Sequence, residues 1–438
     1  MIRLLTVLFF IPLFVLSQTF ESSFHRYFHD MGFSVEQLNN GGYIILGSSS
    51  NSNSTESDND VWIIKTNENG EEIWNKTFDT GYCEQGNWIK EINNNELIIF
   101  GYRIPINSNG TFDDVGRGFI IKTDSEGNQI WENILPTGLW SGDLINDGGY
   151  ITTGGIQDLD NDFGLIKLDS NGDIIWNQIY NEWSESYYAI SNSRVKQSSD
   201  GSYISIGTFT DNSYNNNLIL LKTNSIGEPI WSQLFPYVSG GCDLDFSNDG
   251  GFILLGSGED SNQESDILLI KTTNQGVEEW VKQYDNGWRE FANDIEQTSD
   301  GGYIILGHKL EDSLIPGEDH QQKIWLIKTD VNGVLVWSQT FENDWGLIDG
   351  RDIEQTSDGG YIIVGTEPNE TSYDIILIKT DSEGNINFTS IVEQINSTSN
   401  KSLIKTLDVL GRETQKSPYT PLIEIYDDGS VEKKIIIE

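Results

Sequence analysis

Six aromatic residues other than the regularly spaced tryptophans of the chain are the strongest candidates for ligand binding. Acidic residues and asparagines lie close to them in the chain. An exposed aromatic ring can stack on a sugar or anchor a protein interface, and neighbouring carboxylates and amides can bind hydroxyl groups. The predicted ligand-binding residues are Trp88, Trp140, Trp183, Tyr187, Trp288 and Trp345.

A second candidate is a short segment of alternating carboxylates. Asp158, Asp160 and Asp162 are separated by single residues, and several carboxylate oxygens on one loop suit Ca²⁺. The glycine and distal glutamate of an EF-hand loop are missing at their required offsets. The three aspartates are therefore a candidate calcium site of another kind, and a solvated acidic loop is the alternative.

Signals of catalysis are few. The four histidines have no nucleophile at a recognisable spacing, and the motifs of serine hydrolases, zinc proteases and phosphate-binding loops do not occur. Paired carboxylates could support glycoside cleavage, but a chain with 68 acidic residues contains many such pairs. We expect a protein that is not an enzyme and needs no cofactor, with a polysaccharide hydrolase or lyase as the alternative.

The charge balance excludes several kinds of partner. The chain has 26 Lys and Arg against 68 Asp and Glu, which gives a net charge of −42. A field of this sign repels nucleic acids and anionic lipid surfaces. The two cysteines are also too few for a disulfide scaffold.

The N-terminus has the pattern of a secretory signal. Arg3 precedes an apolar run of 13 residues, Leu4–Leu16, and Val15 and Ser17 suit cleavage before Gln18. The run is too short to span a membrane comfortably, and no later segment contains 18 consecutive apolar residues. We therefore predict a signal peptide at 1–17 and no integral membrane segment after it.

One sequence unit occurs seven times between about residues 33 and 392. Each copy has a glycine-bounded apolar run such as Gly42–Gly47, an apolar run that ends in lysine, and an aromatic residue nine positions after that lysine. A glycine lies four residues before each aromatic residue. The aromatic residues are Trp74, Trp131, Trp176, Trp231, Trp280, Trp337 and Phe388.

These blocks have the length and composition of β-strands. They contain four to six residues, are rich in Ile, Tyr and Trp, and are bounded by Gly, Asp and Asn turns. A weaker strand precedes each first block, as at Asp294–Thr298. Four strands in about 50 residues are typical of a propeller blade. We predict an all-β chain with a seven-bladed β-propeller of four-stranded blades at 18–392, and a β-solenoid is the alternative.

The strands of a repeat, named A to D in chain order, place the candidate residues. Short A–B and C–D turns share one end of the propeller, and long irregular B–C and D–A loops share the other, where recognition usually occurs. The five candidate tryptophans lie in or beside D–A connections, and the three aspartates lie in a B–C loop. Four of these tryptophans follow a repeat tryptophan by seven to nine residues, so packing between blades is the alternative.

Residues present in every copy are predicted to be structural. The repeat tryptophans are expected to fill the wedges between blades, and the lysine side chains to reach a carboxylate. Phe24–Phe28 has the aromatic spacing of Trp74–Phe78. We therefore expect this N-terminal segment to join the last blade, where it replaces or flanks Phe388–Val392.

Two resemblances support the propeller. The Gly-x-x-x-Trp turn after an aspartate resembles the tryptophan-docking repeat of quinoprotein-like propellers, which implies a packing role for the tryptophan. The whole repeat, with Asp-Gly-Gly-Tyr-Ile-Ile-Leu-Gly at 300–307, is similar to secreted repeat propellers of Bacteroidetes. The first resemblance does not extend to a quinone cofactor.

The C-terminus resembles the sorting domain of the type IX secretion system. After a polar linker at 393–400, the segment 401–438 contains Asp-Val-Leu-Gly-Arg-Glu at 408–413, a late glycine turn and a Lys-Lys-apolar terminal strand. The resemblance implies export across the outer membrane by the type IX machinery, followed by release or attachment at the cell surface. A small stabilising β appendage is the alternative.

These observations predict a secreted or cell-surface protein that binds without catalysis. Its ligand would be a glycan or an extracellular protein, recognised by the B–C/D–A loops. A structural surface protein is a further alternative.

Overall fold

A computed structural model describes most of the chain between residues 18 and 435. The described residues are 18–50, 59–105, 116–154, 163–180, 187–211, 216–238, 240–259, 265–287, 289–311, 321–343, 347–369, 372–386, 403–408, 421–426 and 431–435. Within these ranges the chain is almost entirely β-strand, with a single 3-10 turn at Asn93–Asn95. No helix in them is long and apolar enough to cross a bilayer. The predicted signal peptide lies outside the described residues.

The chain divides into two compact units, residues 1–388 and 389–438. The first unit begins with β1 (Phe20–Phe24), β2 (His29–Gln37), β3 (Tyr43–Ser50), β4 (Asn59–Thr66) and β5 (Glu72–Phe78). The next twenty strands form five separate antiparallel sheets of four strands each. They are β6–β9 (Tyr82–Ile92, Glu96–Pro105, Arg117–Thr123, Gln129–Leu135), β10–β13 (Gly142–Leu144, Tyr150–Thr153, Phe163–Leu168, Ile174–Tyr180), β14–β17 (Tyr187–Gln197, Tyr203–Asp211, Asn216–Thr223, Pro229–Phe235), β18–β21 (Gly240–Phe246, Phe252–Glu259, Ser265–Thr272, Glu278–Tyr284) and β22–β25 (Arg289–Gln297, Tyr303–Glu311, Gln321–Thr329, Leu335–Phe341).

The last repeat and the second unit complete the described strands. The last repeat contributes β26 (Asp349–Gln355), β27 (Tyr361–Pro368) and β28 (Tyr373–Thr380). The second unit is an antiparallel three-stranded sheet of β29 (Leu403–Asp408), β30 (Pro421–Tyr426) and β31 (Val431–Ile435).

The all-β propeller is confirmed, but the prediction of seven four-stranded blades is wrong. Among the described residues the propeller has five four-stranded blades, and the first and last repeats share one eight-stranded sheet. The connection between β1 and β2 is only four residues long, so β2 begins beside β28, the strand that β1 pairs with. A parallel bridge between His29 and Tyr373 then joins the two repeats.

The N-terminal strand closes the ring, in a different register from the predicted one. In β1, Phe20 pairs with Lys379 as Trp74 pairs with Lys65 in the first repeat. Residues 25–28 lie between the strands, so the predicted segment 24–28 is shifted by four residues. Both segments have two aromatic residues four positions apart, and the spacing alone does not separate them. Phe388–Val392 lies outside the described residues.

The repeat tryptophans fill the wedges between repeats, as predicted. A Cβ atom placed on Gly127 would lie 2.7 Å from the ring of Trp74 in the preceding repeat. The same ring-to-turn contact joins Trp131 to Gly172, Trp176 to Gly227, Trp231 to Gly276, Trp280 to Gly333 and Trp337 to Gly384. Phe20 makes this contact with Gly70, so it occupies the position of the tryptophan at the closure.

The lysine near the end of strand C reaches a carboxylate in six repeats, as predicted, whereas Lys65 donates to the carbonyl of Ser125. Lys328 Nζ lies 2.8 Å from Asp300 Oδ2, in the A–B turn of the same repeat. Lys271 pairs with Asp249 at 2.8 Å in the same way. The buried lysine stem and its ion pair therefore connect the C strand to the A–B turn.

Alanine at two turn glycines tests the wedge contact. Gly276 and Gly250 both have left-handed φ angles, +74° and +85°, so alanine costs about 1 kcal/mol at each. A Cβ meets nothing within 4 Å at Gly250 but lies 2.6 Å from the Trp231 ring at Gly276. In urea unfolding we expect Gly276→Ala to cost about 1 kcal/mol more than Gly250→Ala. Equal losses would contradict a fixed Trp231 ring.

Candidate functional site

The A strands line a charged central cavity. Its volume is about 160 Å³. Charged residues line it from the middle or the later part of six A strands, β6, β10, β14, β18, β22 and β26. They are Lys90, Asp143, Arg194, Lys196, Asp243, Asp294, Glu296, Asp352 and Glu354.

Most of these carboxylates bind the backbone of the next A strand. Val35 N–H donates to Asp352 Oδ2 at 2.8 Å, and Ile353 N–H donates to Asp294 Oδ2 at 2.9 Å. Carboxylates two residues further along the strands make the same contact. For example, Gln37 N–H donates to Glu354 Oε2 at 2.6 Å. The A strand is the inner edge of its sheet, and its N–H groups need acceptors. The carboxylates supply them and join neighbouring repeats.

Arg194 holds a buried acidic pair on the wall of the cavity. Its Nη2 lies 2.9 Å from Asp294 Oδ1, and its Nε donates to Asp243. Burial alone would raise the pKa of Asp243, but the Arg194 guanidinium outweighs burial and lowers it. Burial raises the pKa of Asp294 well above its usual range, and the charge of Asp243 adds to this.

This acidic pair is structural although its pKa values diverge. Divergent pKa values in two neighbouring acids can mark a general acid and base. Here Asp243 and Asp294 are only 1% and 4% exposed. Both oxygens of each carboxylate accept hydrogen bonds from Arg194 or from the backbone. Every oxygen of the pair already accepts a hydrogen bond that joins neighbouring strands or positions Arg194.

Two glutamates near the cavity have strongly raised pKa values. Burial raises the pKa of Glu36 to about 7, and Lys90, 2.9 Å away, offsets only part of the increase. Burial also raises the pKa of Glu296 to about 7. The wall of the cavity therefore binds protons near neutral pH.

The predicted calcium ligands Asp158, Asp160 and Asp162 lie outside the described residues. Within the described residues, two groups place possible ligand atoms within 4.8 Å of one another. They are His25, Asp30 and Asp374, and Asp266, Asp285 and Glu290.

In the group of His25, Asp30 and Asp374, the possible ligand atoms already contact other atoms of the protein. His25 Nδ1 lies 2.7 Å from Asp374 Oδ1. Asp30 Oδ2 accepts the Arg26 N–H at 2.6 Å, and Ser49 donates to Asp30 Oδ1 at 2.5 Å. The His25 contact joins the β1–β2 connection to the last repeat, and the Asp30 contacts join it to β3.

In the group of Asp266, Asp285 and Glu290, Asp266 lies at the position that a lysine occupies in the next repeat. Asp266 lies five residues before Lys271, and Lys323 lies five before Lys328. Lys323 Nζ lies 2.6 Å from Glu342 Oε2. In that repeat the ammonium group neutralises the acids at this junction.

The candidate tryptophans have different environments. Trp88 lies on the cavity wall, is 9% exposed, and its ring centroid is 5.1 Å from that of Phe100. Trp140 is 51% exposed in the D–A connection before β10. Tyr187 opens β14, and its side chain is not described. Trp183, Trp288 and Trp345 lie outside the described residues.

Trp140 forms an aromatic pair with Tyr102, which the sequence did not single out. Their ring centroids are 5.0 Å apart and the rings are tilted by 47°. The Tyr102 hydroxyl donates to Gln85 Oε1 at 3.0 Å, and Gln85 Nε2 donates to Asn87 Oδ1 at 2.9 Å. Asn87 Nδ2 donates to the carbonyl of Leu139 at 2.7 Å, just before Trp140.

The position of this aromatic pair follows from the topology. Tyr102 lies in β7, close to the B–C loop, and Trp140 lies in a D–A connection, so both are at the irregular end of the propeller. An aromatic residue directly after the glycine-bounded run of a B strand was the available sequence signal for Tyr102. The pair offers an exposed ring beside fixed amide groups, which suits stacking and hydrogen bonding to a ligand.

Comparisons with known proteins give similarities in fold only. No protein-family model and no curated protein matches the chain. A protein of unknown function from Bacteroides caccae is 12% identical with a TM-score of 0.41, over 68% of this chain and 94% of that chain. One from Dyadobacter fermentans is 9% identical with a TM-score of 0.44, over 82% and 97%. A GH43 β-1,3-galactosidase is 11% identical with a TM-score of 0.36, over 83% and 92%. At these values no function transfers, and the chain is a β-propeller on the strength of its own sheet topology.

Proposed function

We propose that this chain is a secreted or cell-surface protein that binds a glycan or an extracellular protein without catalysis. The observation that carries the proposal is Trp140, half exposed and held against Tyr102 at the irregular end of the propeller. A large aromatic ring kept in solvent by a defined network is typical of a binding surface. The central carboxylates, by contrast, are engaged in joining the repeats.

The ends of the chain support the proposed location. The N-terminal pattern at 1–17 is that of a secretory signal. Residues 389–438 form a unit of their own, whose last strand, β31, contains Lys433 and Lys434. A separate terminal β unit suits the proposed recognition by the type IX secretion machinery.

Replacing Trp140 tests the proposed surface. Because the ring supplies the main contact area, we expect Trp140→Ala to weaken binding to a glycan or protein ligand about tenfold or more. The measurement is a titration of the purified protein against a panel of polysaccharides and extracellular proteins. Tyr27→Ala, at an exposed ring of another connection, is the control. Unchanged affinity in Trp140→Ala would contradict the proposal.

A further inference from the structure

We infer that the ligand of the Trp140–Tyr102 surface is a neutral glycan, built from uncharged sugar units. This inference rests on the proposed function and specifies its ligand class. It is carried by the chemistry of the contacts around the two rings and by the charge of the chain.

The hydrogen bonds described from Tyr102 towards Trp140 run through uncharged groups. Tyr102 binds the amide of Gln85, which binds the amide of Asn87, and Asn87 binds a backbone carbonyl. Amide groups donate to and accept from hydroxyl groups equally well. An aromatic ring next to amides therefore matches a sugar, which has an apolar face and a rim of hydroxyl groups.

The cation next to Tyr102 in the chain already has partners. Arg103 follows Tyr102 in β7, and its guanidinium lies 4.5 Å from the centroid of the Tyr82 ring. Its Nη1 lies 3.5 Å from Glu132 Oε1. Recognition of a carboxylate or sulfate sugar usually requires a guanidinium that can bind it in two-point fashion. Arg103 instead pairs with an acid of its own blade.

The net negative charge of the chain also favours a neutral ligand over an anionic one. With a net charge of −42, the protein repels a polyanion over about 8 Å at physiological salt and about 30 Å at 0.01 M. A neutral polysaccharide pays no such cost. The affinity for a neutral ligand is therefore expected to be nearly independent of salt.

The amide network also fixes the Tyr102 ring and the backbone just before Trp140. The Tyr102 hydroxyl is tied to β6 through Gln85, and the Trp140 backbone N–H donates to the carbonyl of Thr153 at 3.4 Å. Gly138 lies beside both side chains, where a Cβ would be 3.4 Å from Tyr102 and 3.8 Å from Trp140. The Tyr102 ring and the backbone of Trp140 are therefore positioned before a sugar arrives, which reduces the entropy cost of binding.

The test uses matched neutral and anionic glycans on the purified protein. Dextran is paired with dextran sulfate, and a neutral galactan with polygalacturonate, together with laminarin and mannan. Binding is measured at about 0.01 M and about 0.15 M salt, where the range of electrostatic repulsion differs severalfold. Trp140→Ala reports the surface, and Tyr27→Ala is the matched aromatic control.

We expect at least one neutral glycan to bind about tenfold more tightly than the anionic glycans, with less than about a twofold change between the two salt concentrations. Trp140→Ala should abolish this preference, and Tyr27→Ala should retain it. Tighter binding of an anionic glycan that depends on Trp140 would overturn the inference and leave the proposed function intact. Binding of no glycan at all would overturn both the inference and the glycan form of the proposed function.

Discussion

Raising the pH from about 5 to about 8 is expected to destabilise this protein by several kcal/mol. Glu36 and Glu296 have pKa values of about 7 in the folded chain, because burial disfavours their charged forms, against an ordinary value of 4.5. Between these values the folded state binds more protons than the unfolded state, so the free energy of unfolding falls as pH rises. Each glutamate contributes at most about 3 kcal/mol to this change.

Carboxylates with lowered pKa values make the free energy of unfolding rise with pH, but only at low pH. Asp300 and Asp358 have pKa values lowered to about 2, because hydrogen bonds and their lysines, Lys328 and Lys379, outweigh burial. Their stabilisation is complete above the ordinary aspartate value and is lost as the pH falls towards 2. The two sets together predict greatest stability near pH 5.

Urea unfolding at several pH values between 4 and 9 measures this dependence. Glu36→Gln and Glu296→Gln remove the titrating groups. In the double variant, the free energy of unfolding should therefore fall much less between pH 5 and pH 8 than in the wild type. Glu126→Gln, in an exposed C–D turn, is the control and should keep the wild-type profile. A wild-type protein that becomes more stable from pH 5 to pH 8 would show that these glutamates are not buried in this way.

Phe20→Ala is expected to destabilise the propeller by about 3 kcal/mol. Phe20 fills the last wedge, against Gly70, and its ring centroid lies 5.9 Å from that of Tyr43. It therefore joins β1 at the edge of the last repeat to the first repeat. Loss of the ring leaves a cavity at the one junction that a terminal strand must close.

Phe28→Ala is the matched control for this closure. Phe28 is 44% exposed and belongs to the segment that the spacing of aromatic residues had favoured. Its replacement should change the free energy of unfolding by less than about 0.5 kcal/mol. If Phe28→Ala were the more damaging of the two variants in urea unfolding, the register of β1 described above would be wrong.

The repeated elements of the fold could be predicted, because their sequence signals are local. The glycine four residues before each aromatic has a positive φ and accepts the ring of the preceding repeat, as Gly276 does with Trp231. The number of separate blades could not be predicted. It depends on how the short connection between β1 and β2 places the first repeat beside the last, which no repeat signal reports.

The candidate site was predictable only in part. Trp88 and Trp140 were both assigned to D–A connections, yet one packs against Phe100 and the other is exposed. The difference arises because Trp88 lies within β6, on the inner wall, whereas Trp140 precedes the short strand β10. Tyr102 was missed because a single aromatic at the end of a strand gives no periodic signal.

The acids of the A strands, such as Asp294 and Glu296, were visible in the sequence, but their role was not. Their partners are backbone N–H groups of the next repeat, as where Ile353 N–H donates to Asp294. These contacts join positions about 60 residues apart. Such pairing depends on the packing of neighbouring repeats rather than on local sequence.

Oxidative footprinting of tryptophan with and without a bound neutral glycan tests the central claim most directly. According to that claim, Trp140 is part of a binding surface, whereas the repeat tryptophans pack between neighbouring repeats. We predict that the glycan protects Trp140 from oxidation and leaves the reactivity of Trp231 and Trp280 unchanged. Saturable binding without protection of Trp140, or with protection of the repeat tryptophans alone, would contradict the assignment of this surface.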